Sequence, residues 1–267
     1  MSIPNNSVEN FKLILSVIKA LNILELFDAQ HTELSLSQIS RELEMPKSTL
    51  LNFIRTLESY GYLMRNPMSQ NYSLGIKTMQ LGYNMRSTLT ISHYAIPSME
   101  YLCSQTKANI YLTTHVEGMV FYLESIYNNR LTVKYSVAGK TLPMHVTASG
   151  KAMLSYMQPE QVEAILEKHP LVAYTKNSIT DKDAFMKEIR LCRERGYAVD
   201  NGEETLGVRC LSKAIRDPSG YPVGALSISG SSMEMTDEKC MSFIGILTEA
   251  CTLLAGYTQM FPCRPLM

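Results

Sequence analysis

Up to Tyr60, apolar residues recur at the three- and four-residue spacing of helices. The stretch FKLILSVIKALNILELFDA (Phe11–Ala29) reads as a first helix, with Leu13, Val17, Leu21, Leu24 and Phe27 on its buried face. A short apolar piece, Leu34–Leu36, precedes a second helix from about Ser37 to Glu44. Ser37 is its N-cap, and Ile39 and Leu43 face inward. Met45-Pro46 then interrupts the chain, because a residue before proline is pushed out of the helical region. The third helix is KSTLLNFIRTLESYGYL (Lys47–Leu63), with Leu50, Phe53, Ile54, Leu57 and Tyr60 on one stripe and Gly61 ending it. Its other face carries Ser48, Asn52, Arg55 and Ser59. Beyond Gly61 the period falls to two: Tyr62–Arg65 and Asn71–Leu74 flank NPMSQ, which predicts a β-hairpin.

Two helices joined by a tight turn, with a hairpin after the second, predict a winged helix-turn-helix. In that architecture the apolar stripe of the third helix holds a three-helix core, and its polar face is free to enter a major groove. Lys47, Ser48 and Thr49 lie at the helix amino end, where backbone N–H groups favour a phosphate. Asn52 has the groups to read adenine, and Arg55 those to read guanine or a phosphate. Arg65, on the wing, reaches for the neighbouring backbone. The competing reading is a merely solvated helix face.

From Gly75 to about Ser92 the chain predicts a connecting helix, with Ile76, Met79, Leu81, Tyr83, Met85 and Leu89 apolar. The remainder alternates strand and helix patterns. Strands are expected at NIYLTTH (109–115), MVFYLESI (119–126), LTVKYSV (131–137), YAVD (197–200), VRCLSKAI (208–215) and PVGALSIS (222–229). Helices are expected at PSMEYLCSQT, GKAMLSYM, EQVEAILEKH, AFMKEIRLCRERG and the closing segment TDEKCMSFIGILTEACTLLAGYTQ, with a turn at Asp217–Gly220. The class is α+β, an antiparallel sheet flanked by helices. The expected divisions are a winged helix-turn-helix over 8–75, a linker helix over 76–92 and a carboxy-terminal domain over 93–263.

Composition trims the alternatives. The 267 residues are 45% hydrophobic and 19% charged, ordinary for a globular protein of two domains. There is no apolar run of about eighteen residues to span a membrane, and the start MSIPNNSVEN lacks the basic-then-apolar pattern of a signal peptide. Six cysteines, none in a CxxC or beside a histidine at metal spacing, point to a reducing cytoplasm without zinc or disulfides. No cofactor motif is present. The formal charge is zero, and residues 1–82 hold seven Lys or Arg against seven Asp or Glu, so DNA contact would rest on local cations alone.

Several pieces together resemble the IclR family of regulators across nearly the whole chain: VIKALNILELF, LSLSQISRELEMPKST, TLESYGYL, YSLGIKTMQLG, HVTASGKAML, RERGYAVDNGEETLGVRCLSKAIRD and GALSISGSS. The family often carries His-Arg where this chain has Leu51-Asn52, so operator sequence does not transfer and Asn52 is the residue suspected of altering it. The resemblance implies a GAF/PAS-like sensor domain, a homodimer or dimer of dimers on a palindromic or near-palindromic operator, and repression of a catabolic operon. It also implies an organic-acid effector, whether sugar acid, keto acid or aromatic acid. In VTASGK, the small residues Ala148, Ser149 and Gly150 open a helix whose N–H groups suit a carboxylate. Ser227 and Ser229 share one strand face. Asp200 and Cys210 match the family's effector pocket, and Leu142 supplies an apolar wall.

Blander readings stand beside these. Ser149-Gly150 serves equally for close helix packing, Cys210 for a small buried hydrophobe, and Glu203 and Glu204 for a solvated loop. Two rivals differ in kind: a winged helix used for protein contact, and an enzyme with Cys210 as nucleophile and His115 or His145 as base.

Overall fold

The computed structural model describes residues 13–28, 30–128 and 137–261. The chain divides into two compact units, one ending at Thr88 and the other starting at Leu89.

In the first unit, helix α1 (Leu15–Glu25) is followed by α2 (Leu36–Glu42) and α3 (Lys47–Ser59). The hairpin β1 (Leu63–Arg65) and β2 (Tyr72–Leu74) comes next, then α4 (Ile76–Ser87). Helix α1 enters the core through Ile23, with Phe27 just beyond its end, while Leu13, Val17 and Leu21 stay more than half exposed. The expected buried face is therefore wrong for most of its length. Apolar residues on both sides of this helix leave its rotation undetermined by pattern.

The cap of α2 is Ser35 rather than Ser37. Ser35 Oγ accepts from the Gln38 N–H at 3.3 Å, and Gln38 Oε1 accepts from the Ser35 N–H at 2.8 Å. This is the reciprocal capping box that S-x-x-Q encodes. Leu50 and Ile54 of α3 are fully buried, whereas Tyr60 is 71% exposed, one turn past the core. Gly61 (φ +77°) then donates to Glu58 O and Tyr62 donates to Leu57 O, the paired bonds of a Schellman stop. The hairpin pairs Leu63 with Leu74 and Arg65 with Tyr72. Leu34 adds a one-residue bridge to Tyr72. Ile23, Leu34, Ile39, Leu50, Ile54, Leu63 and Tyr72 make the core.

Helix α4 buries nothing within its unit. It stops at Ser87 and does not run on to residue 92. Leu89 is non-helical (φ −72°, ψ 86°), and helix α5 (Thr90–Thr106) starts there. Helix α5 passes straight through Pro97, which had been expected to open it; one lost backbone bond is tolerated where Ile91, Ala95, Met99 and Leu102 are buried.

The second unit is a six-stranded antiparallel sheet in the order β5-β4-β3-β8-β7-β6. Its strands are β3 (Asn109–Val116), β4 (Met119–Ile126), β5 (Thr141–Pro143), β6 (Ala198–Asn201), β7 (Val208–Arg216) and β8 (Pro222–Ser231). The short β5 had no counterpart in the pattern, and the strand expected at 131–137 lies almost wholly outside the described residues. Asp217 Oδ1 accepts from the Ser219 and Tyr221 N–H groups, closing the expected turn between β7 and β8. One face of the sheet presents Ile110, Leu112, Leu211, Leu226 and Ile228 to α5 and α9 (Asp237–Ala255). The other meets α6 (Ala148–Leu154), α7 (Pro159–Lys168) and α8 (Lys182–Arg195).

Ile54 has no exposed surface. Its replacement by alanine should lower the stability of the first unit by roughly 2–5 kcal/mol, read by urea unfolding. A loss well below roughly 1 kcal/mol would mean that α3 is not packed as described.

Candidate DNA-reading face and small-molecule pocket

Lys47, Ser48, Thr49, Asn52 and Arg55 are all exposed on α3, opposite Leu50 and Ile54. Pro46 precedes the helix and offers no side-chain cap, and no acid occupies the first turn. The first N–H groups therefore keep their donor capacity for an outside acceptor. Two other hydroxyls on this helix are spent internally: Thr56 Oγ1 donates to Asn52 O and Ser59 Oγ to Thr56 O. Among the described residues the Asn52 amide and Arg55 guanidinium have no hydrogen-bond partner, so both are free for an outside one. Arg65, exposed on the hairpin, holds its guanidinium 5.7 Å from the Tyr72 ring centroid.

The pocket follows from strand register. Antiparallel partners share a face, and the pairs Asp200–Cys210 and Cys210–Ser229 set one polar row across β6, β7 and β8. The pairs Ser212–Ser227 and Ser227–Tyr111 set the next row. Helix α6 lies over these rows and encloses a cavity of about 300 Å³. Leu142, Ala148, Ser149, Asp200, Cys210, Ser227 and Ser229 all line it, so the structure gathers seven predicted residues at one place. Gly150 is not among them. Its N–H donates to Thr147 Oγ1 at 3.1 Å, and a Cβ there would lie 2.2 Å from Met144 O. Gly150 lets α6 lie against the Met144 backbone and has no N–H left for a ligand.

The hydroxyls have assignable directions. Ser212 Oγ donates to Leu226 O at 2.8 Å, so the Ser149 hydroxyl, 3.2 Å away, donates to Ser212. Ser149 therefore turns only lone pairs to the cavity. The Cys210 thiol donates to Ser229 Oγ at 3.2 Å, and the same hydroxyl also meets the Tyr111 phenol. Tyr111 and Tyr122, which pattern reading missed, meet edge to face at 5.5 Å, and burial holds both phenols far above their ordinary pKa. They stay protonated donors. Lys140, Thr147, Glu204 and Thr205 complete the polar lining. The alternation in NIYLTTH marks Tyr111 as opposite in face to Ile110 and Leu112, but its pairing with Ser227 is not written in either strand.

Asp200 is 4% exposed, and its Oδ1 accepts from the Glu203 N–H at 2.7 Å. Burial pushes its carboxyl up to about 6, helped by the Glu203 and Glu204 carboxylates and opposed by that N–H and by Lys151. Glu203, expected to be solvated, is buried and ion-paired with Lys151 of α6, itself 1% exposed. The Ser178 hydroxyl donates to Glu203 O and that of Thr175 to Gly202 O, each at 2.6 Å. The loop after β6 is thus tied from both sides.

The catalytic rival gains no geometry. His115 Nε2 bonds to Pro222 O at 3.1 Å and His145 Nε2 to Val172 O at 2.9 Å. Desolvation first, then the Asp200 carboxylate, raises the Cys210 thiol well above its usual range, the opposite of an activated nucleophile.

A carboxyl whose folded pKa stands at about 6 against 3.8 unfolded makes stability fall as pH rises from about 4 through 6. The deficit at neutral pH is on the order of 3 kcal/mol. Asp200→Asn, which keeps an acceptor for the Glu203 N–H, should remove that part of the pH profile and raise stability at pH 7.5. Parallel wild-type and variant profiles from chemical unfolding would contradict the assignment.

A family model described as "Bacterial transcriptional regulator IclR C-terminal" matches residues 84–254, and one described as "IclR helix-turn-helix domain" matches residues 16–67. The HTH-type transcriptional regulator XynR of Escherichia coli K12 is 32% identical over 244 residues, covering 89% of this chain and 94% of XynR. The transcriptional repressor IclR of the same organism is 25% identical over 240 residues, covering 89% and 87%. The crystal structure of an IclR homolog from Microbacterium hydrocarbonoxydans, complexed with 4-hydroxybenzoate, matches with a TM-score of 0.74 at 22% identity, over 91% of this chain and 99% of that one.

Proposed function

The chain belongs to the IclR family of bacterial DNA-binding transcriptional regulators, and from that premise we propose that it represses a catabolic operon and is controlled by a small hydroxylated carboxylic acid. The observation that carries this reading is the polar cavity under α6, lined by Ser149, Asp200, Cys210, Ser227 and Ser229. The name of the repressor relative supports the sign of control.

The ligand class follows from the groups that face the cavity. Lys140 and the phenol protons of Tyr111 and Tyr122 suit a carboxylate. Ser149 accepts, and the buried Asp200 carboxyl suits a further donor, which a ligand hydroxyl supplies and a bare carboxylate does not. The apolar walls, Val137, Leu142, Ala148 and Val208, are outnumbered by hydroxyl and charged side chains. The balance favours a sugar acid over a flat aromatic or a short keto acid. The 4-hydroxybenzoate complex supports a small hydroxylated acid as an occupant of this fold.

On DNA, α3 lies in the major groove with Asn52 and Arg55 on base edges, Lys47, Ser48 and Thr49 on phosphate, and Arg65 on the flanking backbone. Val17, Leu21, Phe53, Leu57 and Leu81 line an open apolar groove in the first unit. That surface supports pairing of two copies, which sets two recognition helices on a near-palindromic operator. Effector and operator are coupled by about 1–3 kcal/mol, the usual range. No described helix is long and apolar enough to cross a membrane, and the proposed place of action is the cytoplasm.

Selection from a random duplex library by the purified protein at near-physiological salt should enrich an inverted repeat. Arg55→Ala should then weaken binding to that duplex by about 1–3 kcal/mol with the fold intact; undiminished affinity would remove α3 from the groove. A thermal-shift screen of hydroxylated, keto and aromatic acids should yield a sugar acid that releases the duplex. Ser227→Ala combined with Ser229→Ala should abolish that release while duplex binding persists. Release at the wild-type concentration would put the effector elsewhere.

A further inference from the structure

The hairpin tip is held by an acidic side chain. Leu34 and Tyr72 exchange both backbone hydrogen bonds, at 2.9 and 2.8 Å, which sets the segment before α2 alongside β2. Glu33, the residue before Leu34, thereby stands against the tip loop. Its Oε1 accepts from Asn66 Nδ2 at 2.9 Å and its Oε2 from Ser69 Oγ at 3.2 Å. Both carboxylate oxygens are used, one at each end of the turn.

The first of these bonds decides which way the Asn66 amide points. With Nδ2 turned to Glu33, Oδ1 accepts from the N–H groups of Met68 (2.9 Å) and Ser69 (3.3 Å), an Asx turn that folds the tip. Gln70 closes the loop: its N–H donates to Asn66 O at 2.9 Å, its Nε2 to Pro67 O at 2.7 Å, and its backbone is left-handed (φ +61°). The outcome is a fixed projection with Met68 91% exposed at its end and Arg65 at its base. A hairpin of three residue pairs is too short to hold such a shape by its ladder alone.

We propose that Glu33 is a positioning residue for operator binding: through Asn66 and Ser69 it holds the wing tip, Pro67 and Met68, against the duplex beside the stretch read by α3. The inference rests on the DNA-binding reading given above. It also opposes simple electrostatics, under which removal of an anion from a DNA-binding unit should tighten binding to a polyanion. The brace requires the reverse.

The test uses the full chain and the duplex selected by the wild-type protein, with binding followed by fluorescence anisotropy and the complex by hydroxyl-radical footprinting. Glu33→Ala should weaken binding about tenfold, a loss of about 1.4 kcal/mol, and should remove protection of the flanking nucleotides while the central protection remains. Glu33→Gln, uncharged but still able to accept from Asn66, should recover much of both. Ser69→Ala, which deletes one brace bond together with the 3.3 Å bond that Ser69 Oγ accepts from the Asn71 N–H, should fall between them and serves if Glu33→Ala does not fold. Wild-type or tighter binding by Glu33→Ala, or a Glu33→Gln variant no better than Glu33→Ala, overturns the proposal. Arg55→Ala run alongside separates the two failures. If it loses affinity while Glu33→Ala does not, α3 reads DNA and the brace is wrong; if neither loses affinity, the DNA assignment itself falls.

Discussion

Side chains on a β-strand point alternately to its two faces, and in β7 and β8 that alternation is used on both sides at once. Leu211, Leu226 and Ile228 face α5 and α9 as part of the apolar core. Their immediate neighbours Cys210, Ser212, Ser227 and Ser229 face the other way, under α6. A slip of one residue in either strand would turn serines into the core and leucines into the cavity. The register that stabilises the second unit is therefore the same register that assembles its pocket. No separate device is needed to bring Asp200, Cys210 and Ser229 into line.

What the alternation does not supply is the roof. Helix α6 is only seven residues long, and it is held by Gly150 against Met144, by Thr147 at its cap and by the buried Lys151–Glu203 pair. A buried ion pair is a poor source of net stability, since both charges lose their water. Its geometry is informative all the same. It ties the roof to the loop after β6, whose Glu203 N–H also holds the Asp200 carboxyl on that strand. Asp200 itself destabilises the ionised folded state by being buried with an elevated pKa. Such a cost is typical of a group kept for a ligand rather than for the fold.

Pattern reading reached the elements far better than their orientation. The order of helices, the hairpin and most strands of the sheet were legible, because period, breakers and short motifs are local properties; of the pocket lining, seven of fifteen residues were named, Asp200 and Cys210 among them only through the family resemblance. The rotation of α1 was not, since its apolar residues lie all round. The cap of α2 was misplaced by two residues because two serines compete there, and only Gln38 three positions on distinguishes Ser35. Gly150 looked like a ligand donor, but close approach to Met144 is a tertiary fact. Glu203 looked solvated, because nothing local announces that Lys151, far along the chain, is buried beside it. Tyr111, Tyr122 and Lys140 escaped because their place depends on which strands pair.

The exposed stripe on α1 and helix α4, which buries no residue, bear on how a chain of zero net charge holds DNA at all. Seven cations against seven acids over residues 1–82 give little long-range attraction, so on the proposed reading a single copy has only the few contacts of α3 and the hairpin. On the proposed reading, two copies joined through the apolar groove make the second contact intramolecular, and affinity then depends on whether the spacing of the two helices matches the operator. Such an arrangement is poorly held when misaligned and well held when aligned. Effector control needs no change in the reading face under those conditions. It needs only a ligand that prefers the pairing in which the two α3 helices no longer match the half-sites, and the size of that preference sets the size of the response.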